Sequence, residues 1–377
     1  MTLASHHEQI RDTVRRFARE HLAPNAARWD REKHFPREEV AALAAMGLCG
    51  VTIAEEHGGA GLDNTALALA CEEISAGDGA TCTIIMVNNL VASILQGFGS
   101  VAQKREFLVP LAKGARLGAF CLTEPHAGSD ASAITTRAEK AGGHYVLNGV
   151  KQFITSGKNA HIAVVFAVTD KAAGKKGISA FVVPTSTPGY SAARIEDKTG
   201  QRASDTAQVL LENCKVPAAQ LLAAEGAGYR IALANLESGR INVAAQATGM
   251  ARAALEAALA YAGERKSMGK TLLEHQAVNF RLADMATALE ASRQLYLHAA
   301  ALRDAGAACL KEASMAKLFA SEAAEKVCSD AIQIHGGYGY VTDFPVERIW
   351  RDVRVCQIYE GASDIQRLVI GRALAGA

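Results

Sequence analysis

Aromatic residues are scarce in this chain, 6% of 377 residues, and neither sign of charge is in surplus. Forty Lys and Arg against 39 Asp and Glu leave a net charge of +1. A protein that coats a polyanion ordinarily carries a basic excess or a basic tail, so nucleic acid is not an expected partner. No apolar run approaches the roughly 20 residues that span a bilayer, so no membrane association is expected. The opening MTLASHHEQIRDTVRRF lacks the apolar stretch of a secretory signal, and a cytoplasmic protein is the expectation. The eight cysteines (Cys49, Cys71, Cys82, Cys121, Cys214, Cys309, Cys328, Cys356) are scattered without a C-x-x-C pair. That spacing suggests neither a zinc cluster nor a disulfide framework; buried apolar thiols are expected instead. G-x-G-x-x-G after a strand, G-x-x-x-x-G-K-[ST] and H-E-x-x-H are all missing, which leaves a Rossmann site, a P-loop and a zincin unsupported. The pair His6-His7 reads as solvated, and no metal is expected. What the chain does have is 49% apolar and 21% charged residues, a mean hydropathy of +0.05 and a mass of 39.7 kDa. Those values belong to a folded protein with a sizeable core.

Three textures follow one another. Residues 1–117 read as helices. Ser5 is placed to cap a helix whose Ile10, Val14 and Phe17 form an apolar stripe. A second helix follows Pro36 and breaks at the glycines near 47–50; Asp63-Asn64 opens a third. Ala80 to Phe98 makes a fourth, apolar all round and therefore buried, and Gln103 to Leu111 a short fifth. Residues 118–222 carry short apolar runs (AFCL, HYVL, KQFIT, HIAVVFAV, GISAFVV, TAQVLL), with Asn148-Gly149 as a hairpin signal. Strands this closely spaced leave no room for helical crossovers, so an antiparallel β-domain is expected. Residues 223–377 return to helical periodicity. Tyr229 to about Arg265 reads as one helix, followed by 275–304, 311–334 and 362–374, a bundle of long alanine-rich helices. The fold class is mainly α with a central β-domain: an N-terminal helical domain, an antiparallel β-barrel-like middle domain and a C-terminal four-helix bundle. Helices of this length suggest an oligomer.

Four polar, glycine-bearing segments stand out, and each admits two readings. Thr123–Asp130 follows a strand; it is either a cradle for an anionic or heteroaromatic ligand or a loop with a capping Ser-Asp. Arg265–Lys270 gathers cations at a helix end, where it either docks phosphate or neutralises the helix dipole. Gln333–Tyr340 ends another helix with glycines that suit a C-cap or a close ligand. Ile358–Asp364 sets the carboxylate of Glu360 in a tight turn before the last helix, with Ser363 or Asp364 as possible caps.

In their order and spacing these segments resemble the acyl-CoA dehydrogenases over essentially the whole chain. The resemblance is carried by CLTEPHAGSD (121–130), VKQFITSGKNA (150–160), KTGQRASDTAQ (198–208), ERKSMGKTLLEHQ (264–276), QIHGGYGY (333–340) and QIYEGASDIQRLVIGRAL (357–374). The wording is most similar to the short-chain and short branched-chain members. The resemblance implies FAD as cofactor and α,β-dehydrogenation of an acyl-CoA thioester to the trans-2-enoyl-CoA. The family's base is a glutamate either in the turn before the last helix or in the long helix that opens the C-terminal domain. Here the turn carries Glu360 and the alternative position is Gly239, so the resemblance assigns the α-proton base to Glu360. Its backbone N–H is expected to share the oxyanion hole.

The resemblance also implies flavin contacts from Phe120, Leu122, Thr123, Ser129, Phe153, Ile154 and Thr155. Phe153 stands where many relatives have Trp, and His126 replaces a common glycine. Arg265, Ser267, His275, Gln276, Gln333, Gly336 and Gly337 match residues that hold the FAD pyrophosphate and adenosine, many of them from a neighbouring subunit. Ala362, Ser363 and Asp364 complete the set, with Ala362 where Thr is frequent. For the acyl-CoA the implied contacts are Ser129, Glu237, Arg240, Tyr359 and Gly361, with an intrahelical Glu237–Arg240 ion pair at i, i+3 as the alternative. The pocket floor is expected from the helix between Thr81 and Phe98, where Met86 lies. A homotetramer and electron-transferring flavoprotein as electron acceptor are implied. Two other readings remain at this stage: an acyl-CoA oxidase, and a non-catalytic or DNA-associated flavoprotein of the same fold.

Overall fold

The computed structural model describes residues 3–376. The N-terminal region begins with α1 (Ser5–Phe17), continues through a π-helical turn at Ala18–Leu22 and runs on as α2 (Ala23–Glu32). Ser5 lies inside the helix, and the cap position is Ala4 with no side-chain bond, so the expected serine cap is not formed. His7 also departs from expectation. It is buried at 8% exposure, and its Nε2 is 2.9 and 3.0 Å from the carboxylate oxygens of Asp63, because α1 packs on the start of a later helix. Next come α3 (Arg37–Ala45), α4 (Asn64–Gly77), α5 (Gly79–Phe98), α6 (Val101–Gln103) and α7 (Val109–Ala112). Asp63 caps α4 by accepting from Ala66 N, and Asp78 caps α5 by accepting from Thr81 N. Helix α5 has the length and hydropathy to cross a bilayer, which no run was expected to have, but most of it is buried inside the protein. Its apolar character is that of a core helix.

The middle region is a curled seven-stranded sheet: β1 (Gly118–Cys121), β2 (Arg137–Ala141), β3 (His144–Thr155), β4 (Ile162–Val168), β5 (Ile178–Pro184), β6 (Tyr190–Ile195) and β7 (Thr206–Pro217). The order is β1-β4-β2-β3-β7-β6, with β5 on β4. Most pairs are antiparallel as expected, but β1 runs parallel to β4, and β2 touches β4 in parallel. The crossover from β1 to β4 contains a hairpin instead of a helix. That hairpin does not turn at Asn148-Gly149, which lies within β3. The reversal is at Gly142-Gly143, and Gly149 marks a bulge where a Cβ would come 2.4 Å from Thr136 Oγ1. Glycine is needed there for close backbone approach, not for a turn. Strand β4 is apolar throughout because both its faces are covered. Ile162, Val164 and Phe166 join the core under α5 and α7, while Ala163, Val165 and Ala167 join the core on the other face.

The C-terminal region holds α8 (Gly228–Ala234), α9 (Leu236–Glu264), a two-strand ribbon of β8 (Lys266–Ser267) and β9 (Lys270–Thr271), then α10 (Gln276–Asp304), α11 (Leu310–His335), α12 (Val346–Val353) and α13 (Ser363–Leu374). The single helix expected from Tyr229 is two, divided at Asn235, whose side chain turns back to bond Ile231 O and Ser93 Oγ. Helices α9, α10 and α11 pack on one another, and α9 and α10 also pack on α4, so the bundle draws one helix from the N-terminal region. A buried ionic knot ties this seam. Glu72 on α4 pairs with Arg293 on α10 at 2.7 Å and Arg252 on α9 at 3.3 Å, and Glu73 with Arg15 at 2.8 Å.

Candidate active site

The turn before α13 is built to hold one carboxylate. A 3-10 turn, Arg354–Gln357, ends with the N–H groups of Ile358 and Tyr359 both donating to Val355 O. The chain then adopts left-handed geometry at two successive residues, Glu360 (φ 53°) and Gly361 (φ 89°). A left-handed conformation at a residue with a side chain costs roughly 1–2 kcal/mol and persists only where neighbours hold it. Two neighbours do. Lys317 Nζ donates to Gly361 O at 2.7 Å, and Gln366 Nε2 donates to Gly361 O at 2.8 Å and Glu360 O at 3.3 Å. The backbone N–H of Glu360 has no hydrogen-bond partner among the described residues.

This turn delivers the carboxylate of Glu360 onto α9 at Gly239. A Cβ on residue 239 would lie 2.7 Å from Glu360 Oε2. Only glycine leaves that space, so the carboxylate occupies the volume that a side chain at 239 would take. Burial pushes the Glu360 pKa up, and the nearby Lys317 and Arg240 only partly oppose it; the net direction is upward. Arg240 is itself buried at 3% exposure, and its Nη1 donates to Ser314 Oγ at 3.0 Å while its Nε has no partner. The alternative of a Glu237–Arg240 pair is not formed. Glu237 is held by Arg303 at 2.8 Å, across the gap to the end of α10.

The Tyr359 hydroxyl is engaged in a buried relay: it bonds Gln246 Oε1, Gln246 Nε2 donates to Thr83 Oγ1 at 2.7 Å, and Thr83 donates to Gln201 Oε1 at 2.6 Å. Gln201 N and Nε2 in turn bond Asp352. The relay links α5, α9 and the 198–204 loop behind the turn. Burial, helped by Asp78 and opposed by Arg348, pushes Asp352 up to about 7. Met86, on the same helix as Thr83, is 8% exposed, with Cys82 Sγ 3.6 Å from its sulfur.

In the sheet, β1 and β3 bring a second group together. Gln152 N donates to Thr123 O at 2.8 Å, so 122–124 and 151–155 run side by side. Phe153 sits at a bulge with φ 58° and is 64% exposed, an aromatic ring turned out of the sheet by strained backbone. Thr155 is half-buried, and neither its hydroxyl nor that of Thr123 has a partner among the described residues. Ile154 instead points into the core at 1% exposure, leaving only its backbone for any ligand. Phe120 and Leu122 pack on the apolar cluster beneath, Phe120 edge-on to Phe166 at 5.1 Å. Ser129 is exposed at the far end of the loop.

All three family models of the acyl-CoA dehydrogenases match: the N-terminal domain over 4–115, the middle domain over 119–214 and the C-terminal domain over 226–375. The chain belongs to the acyl-CoA dehydrogenase family. It is 48% identical to an acyl-CoA dehydrogenase of Bacillus subtilis over 97% of each chain. It is 47% identical to the human mitochondrial short-chain specific acyl-CoA dehydrogenase, over 97% of this chain and 89% of that one. The solved butyryl-CoA dehydrogenase of Megasphaera elsdenii superposes with a TM-score of 0.97 at 40% identity, covering 100% and 99% of the two chains. Members of the family are FAD-dependent flavoproteins, and the chain is an acyl-CoA dehydrogenase of the oxidoreductase class.

The residues of this acyl-CoA dehydrogenase fit that cofactor. An outturned ring at Phe153, the unpaired hydroxyls of Thr123 and Thr155 beside it, and the buried, unpartnered Ser363 Oγ suit a flat polar ring system. The other expected contacts lie at the opposite end of α9. Arg265 stands 5.9 Å over the Tyr338 ring, His275 Nε2 is 3.1 Å from Ser267 O, and Gln276, Gln333, Gly336 and Gly337 are exposed, with open space where either glycine would carry a Cβ. At about 1.5 Å per residue along the helix, Arg240 and Arg265 are about 38 Å apart. Ala362 and Ser363 are half-buried at the start of α13, and Asp364 is exposed there, 3.5 Å from Arg367.

Three residues escaped the sequence reading. Lys317 is fully buried on a helix face it shares with the small residues Ala313, Ser314, Ala316, Ala320, Ser321 and Ala324; a lone cation on that stripe was the available signal. Glu124, inside the 121–130 segment, forms a buried pair with Lys151 at 2.7 Å and accepts from Thr135 N and Thr136 N. It fastens the loop to the sheet. Gln366 gave no local sign of its tie to the turn.

Proposed function

We propose that the enzyme catalyses FAD-dependent α,β-dehydrogenation of a short or short branched acyl-CoA, with Glu360 as the α-proton base. The observation that carries this reading is the Glu360 carboxylate, set by a strained turn against Gly239, with burial raising its pKa. A thioester α-proton is weakly acidic, so a base of raised pKa narrows the gap to be crossed. The unpaired backbone N–H of Glu360 is placed to polarise the thioester carbonyl, which lowers the substrate's pKa at the same moment. Bound flavin supplies the acceptor for the β-hydrogen, which leaves as hydride. Phe153, Thr123 and Thr155 would hold its ring end, and Arg265, Ser267, His275, Gln276, Gln333, Gly336 and Gly337 its diphosphate and adenosine end. Arg240 and Gly361 face the substrate side; the Tyr359 hydroxyl serves the relay, leaving its ring for that role.

The roughly 38 Å along α9 between Arg240, beside the base, and Arg265 supports an oligomer in which Arg265 and its neighbours would serve the cofactor of an adjoining subunit. Met268 (92% exposed), Phe280 (59%) and Tyr340 (90%) expose apolar surface at the distal end, where a second subunit would cover it. We take the homotetramer and electron-transferring flavoprotein as electron acceptor as parts of the same proposal. Glu360→Gln should fold and retain yellow flavin yet lose turnover in an anaerobic titration with butyryl-CoA. Bleaching at a near wild-type rate would overturn the assignment. A panel of acyl-CoA substrates of graded length and branching tests the preference for short chains, which peak activity on long chains would contradict.

A further inference from the structure

Lys317 lies about two turns into α11 with 0% exposure. Its Nζ donates to Gly361 O at 2.7 Å, and among the described residues no carboxylate oxygen lies within the 4.0 Å of an ion pair. A buried ammonium without a counter-ion is costly, so its retention calls for a reason. The charged and titratable groups facing it are Glu360 in the turn, Cys356 on the 3-10 turn before it, Arg240 on α9 and Glu322 on α11 itself. Burial brings the Lys317 pKa down to about 8, with Cys356 and Glu360 opposing that shift. The group it holds is the carbonyl directly after the base, at the second of the two left-handed residues.

We infer that Lys317 is a positioning residue for the dehydrogenation: its side chain locks the Glu360–Gly361 turn in left-handed geometry, so that the carboxylate meets Gly239. The inference rests on Glu360 being the base. Two consequences separate this role from mere filling of space. Without the N–H donor the turn relaxes and the carboxylate leaves its place. Without the positive charge, Glu360 loses one of the two cations that restrain its upward shift, and its ionisation moves to higher pH.

The test uses the FAD-loaded enzyme with butyryl-CoA and records kcat and KM against pH for Lys317→Met, Lys317→Gln and Glu360→Gln. Displacement of a reacting group by about 1 Å costs on the order of 100-fold, so Lys317→Met should lose about 10- to 100-fold in kcat while KM changes little. Its acid limb should move to higher pH. Lys317→Gln keeps an N–H for the Gly361 carbonyl and should recover most of kcat, while retaining the shifted limb. Wild-type kcat and an unmoved pH profile in Lys317→Met would overturn the inference, as would equal loss in both variants with no shift. If Lys317→Met does not fold, the acid limb of Lys317→Gln decides alone. Glu360→Gln separates the two claims: activity there removes the base itself, whereas an inactive Glu360→Gln beside unaffected Lys317 variants removes only the role of Lys317.

Discussion

Gly239→Ala is the most economical perturbation of this site, because its effects on stability and on activity should have opposite signs. The added methyl would stand 2.7 Å from Glu360 Oε2 and 3.3 Å from its Cδ. Relief to ordinary contact needs a shift of about 0.7 Å, and the tip of a flexible side chain is what gives way. Position 239 is within α9, in helical backbone without positive φ. Glycine in a helix is worth about 0.5–1 kcal/mol less than alanine. The variant should therefore be as stable as the parent or better, with a melting midpoint raised by about 1 °C for a chain of this size. The carboxylate, however, is moved by most of an ångström, which is worth about 10- to 100-fold in rate, or about 1.4–2.7 kcal/mol of barrier. Stopped-flow reduction of the flavin by butyryl-CoA under anaerobic conditions reads the chemical step, and a thermal melt of the same sample reads stability. A reduction rate within twofold of the parent would refute the placement of Glu360 against α9. A fall in both rate and melting midpoint would refute the claim that the side chain yields first.

Two further predictions concern buried carboxylates. Burial pushes the Glu124 pKa up, but Lys151 and the Thr135 and Thr136 donors outweigh it and bring it down to about 2. A depressed pKa contributes stability above the unfolded value near 4.3 that is lost as pH falls through about 2. Glu124→Gln leaves Lys151 buried without its counter-charge and should cost about 3–5 kcal/mol in urea unfolding at pH 7; a loss below about 1 kcal/mol would show the pair to be dispensable. Asp352, by contrast, is raised to about 7, so its contribution is complete below about pH 4 and is lost as pH rises through 7. Asp352→Asn should remove up to about 1.4 kcal/mol per pH unit of slope from the stability profile between about pH 4 and 7, and an unchanged slope would place that titration elsewhere.

Much of this protein was legible from residue order alone. The stripe of Ile10, Val14 and Phe17, the opening of α4 at Asp63 and the all-apolar α5 follow from local rules, since a helix face that meets the core must repeat every three to four residues. The sequence motifs sufficed for the family, and they singled out Glu360 by the glycine at 239. Tertiary structure decided what local pattern does not encode. Asn148-Gly149 has the chemistry of a turn, yet Thr136 on the neighbouring segment requires a glycine there inside a continuous strand. Asn235 divides a helix because its amide finds partners on two other segments. Lys317 reaches Gly361 across 44 residues, and Glu124 reaches Lys151 across 27. A cation amid alanines, or an acid within a loop, declares its charge in the sequence but not its partner. Pairing is settled by which chain segments the core brings within hydrogen-bond reach, and at that distance burial turns an ordinary side chain into one that fixes the geometry of the site.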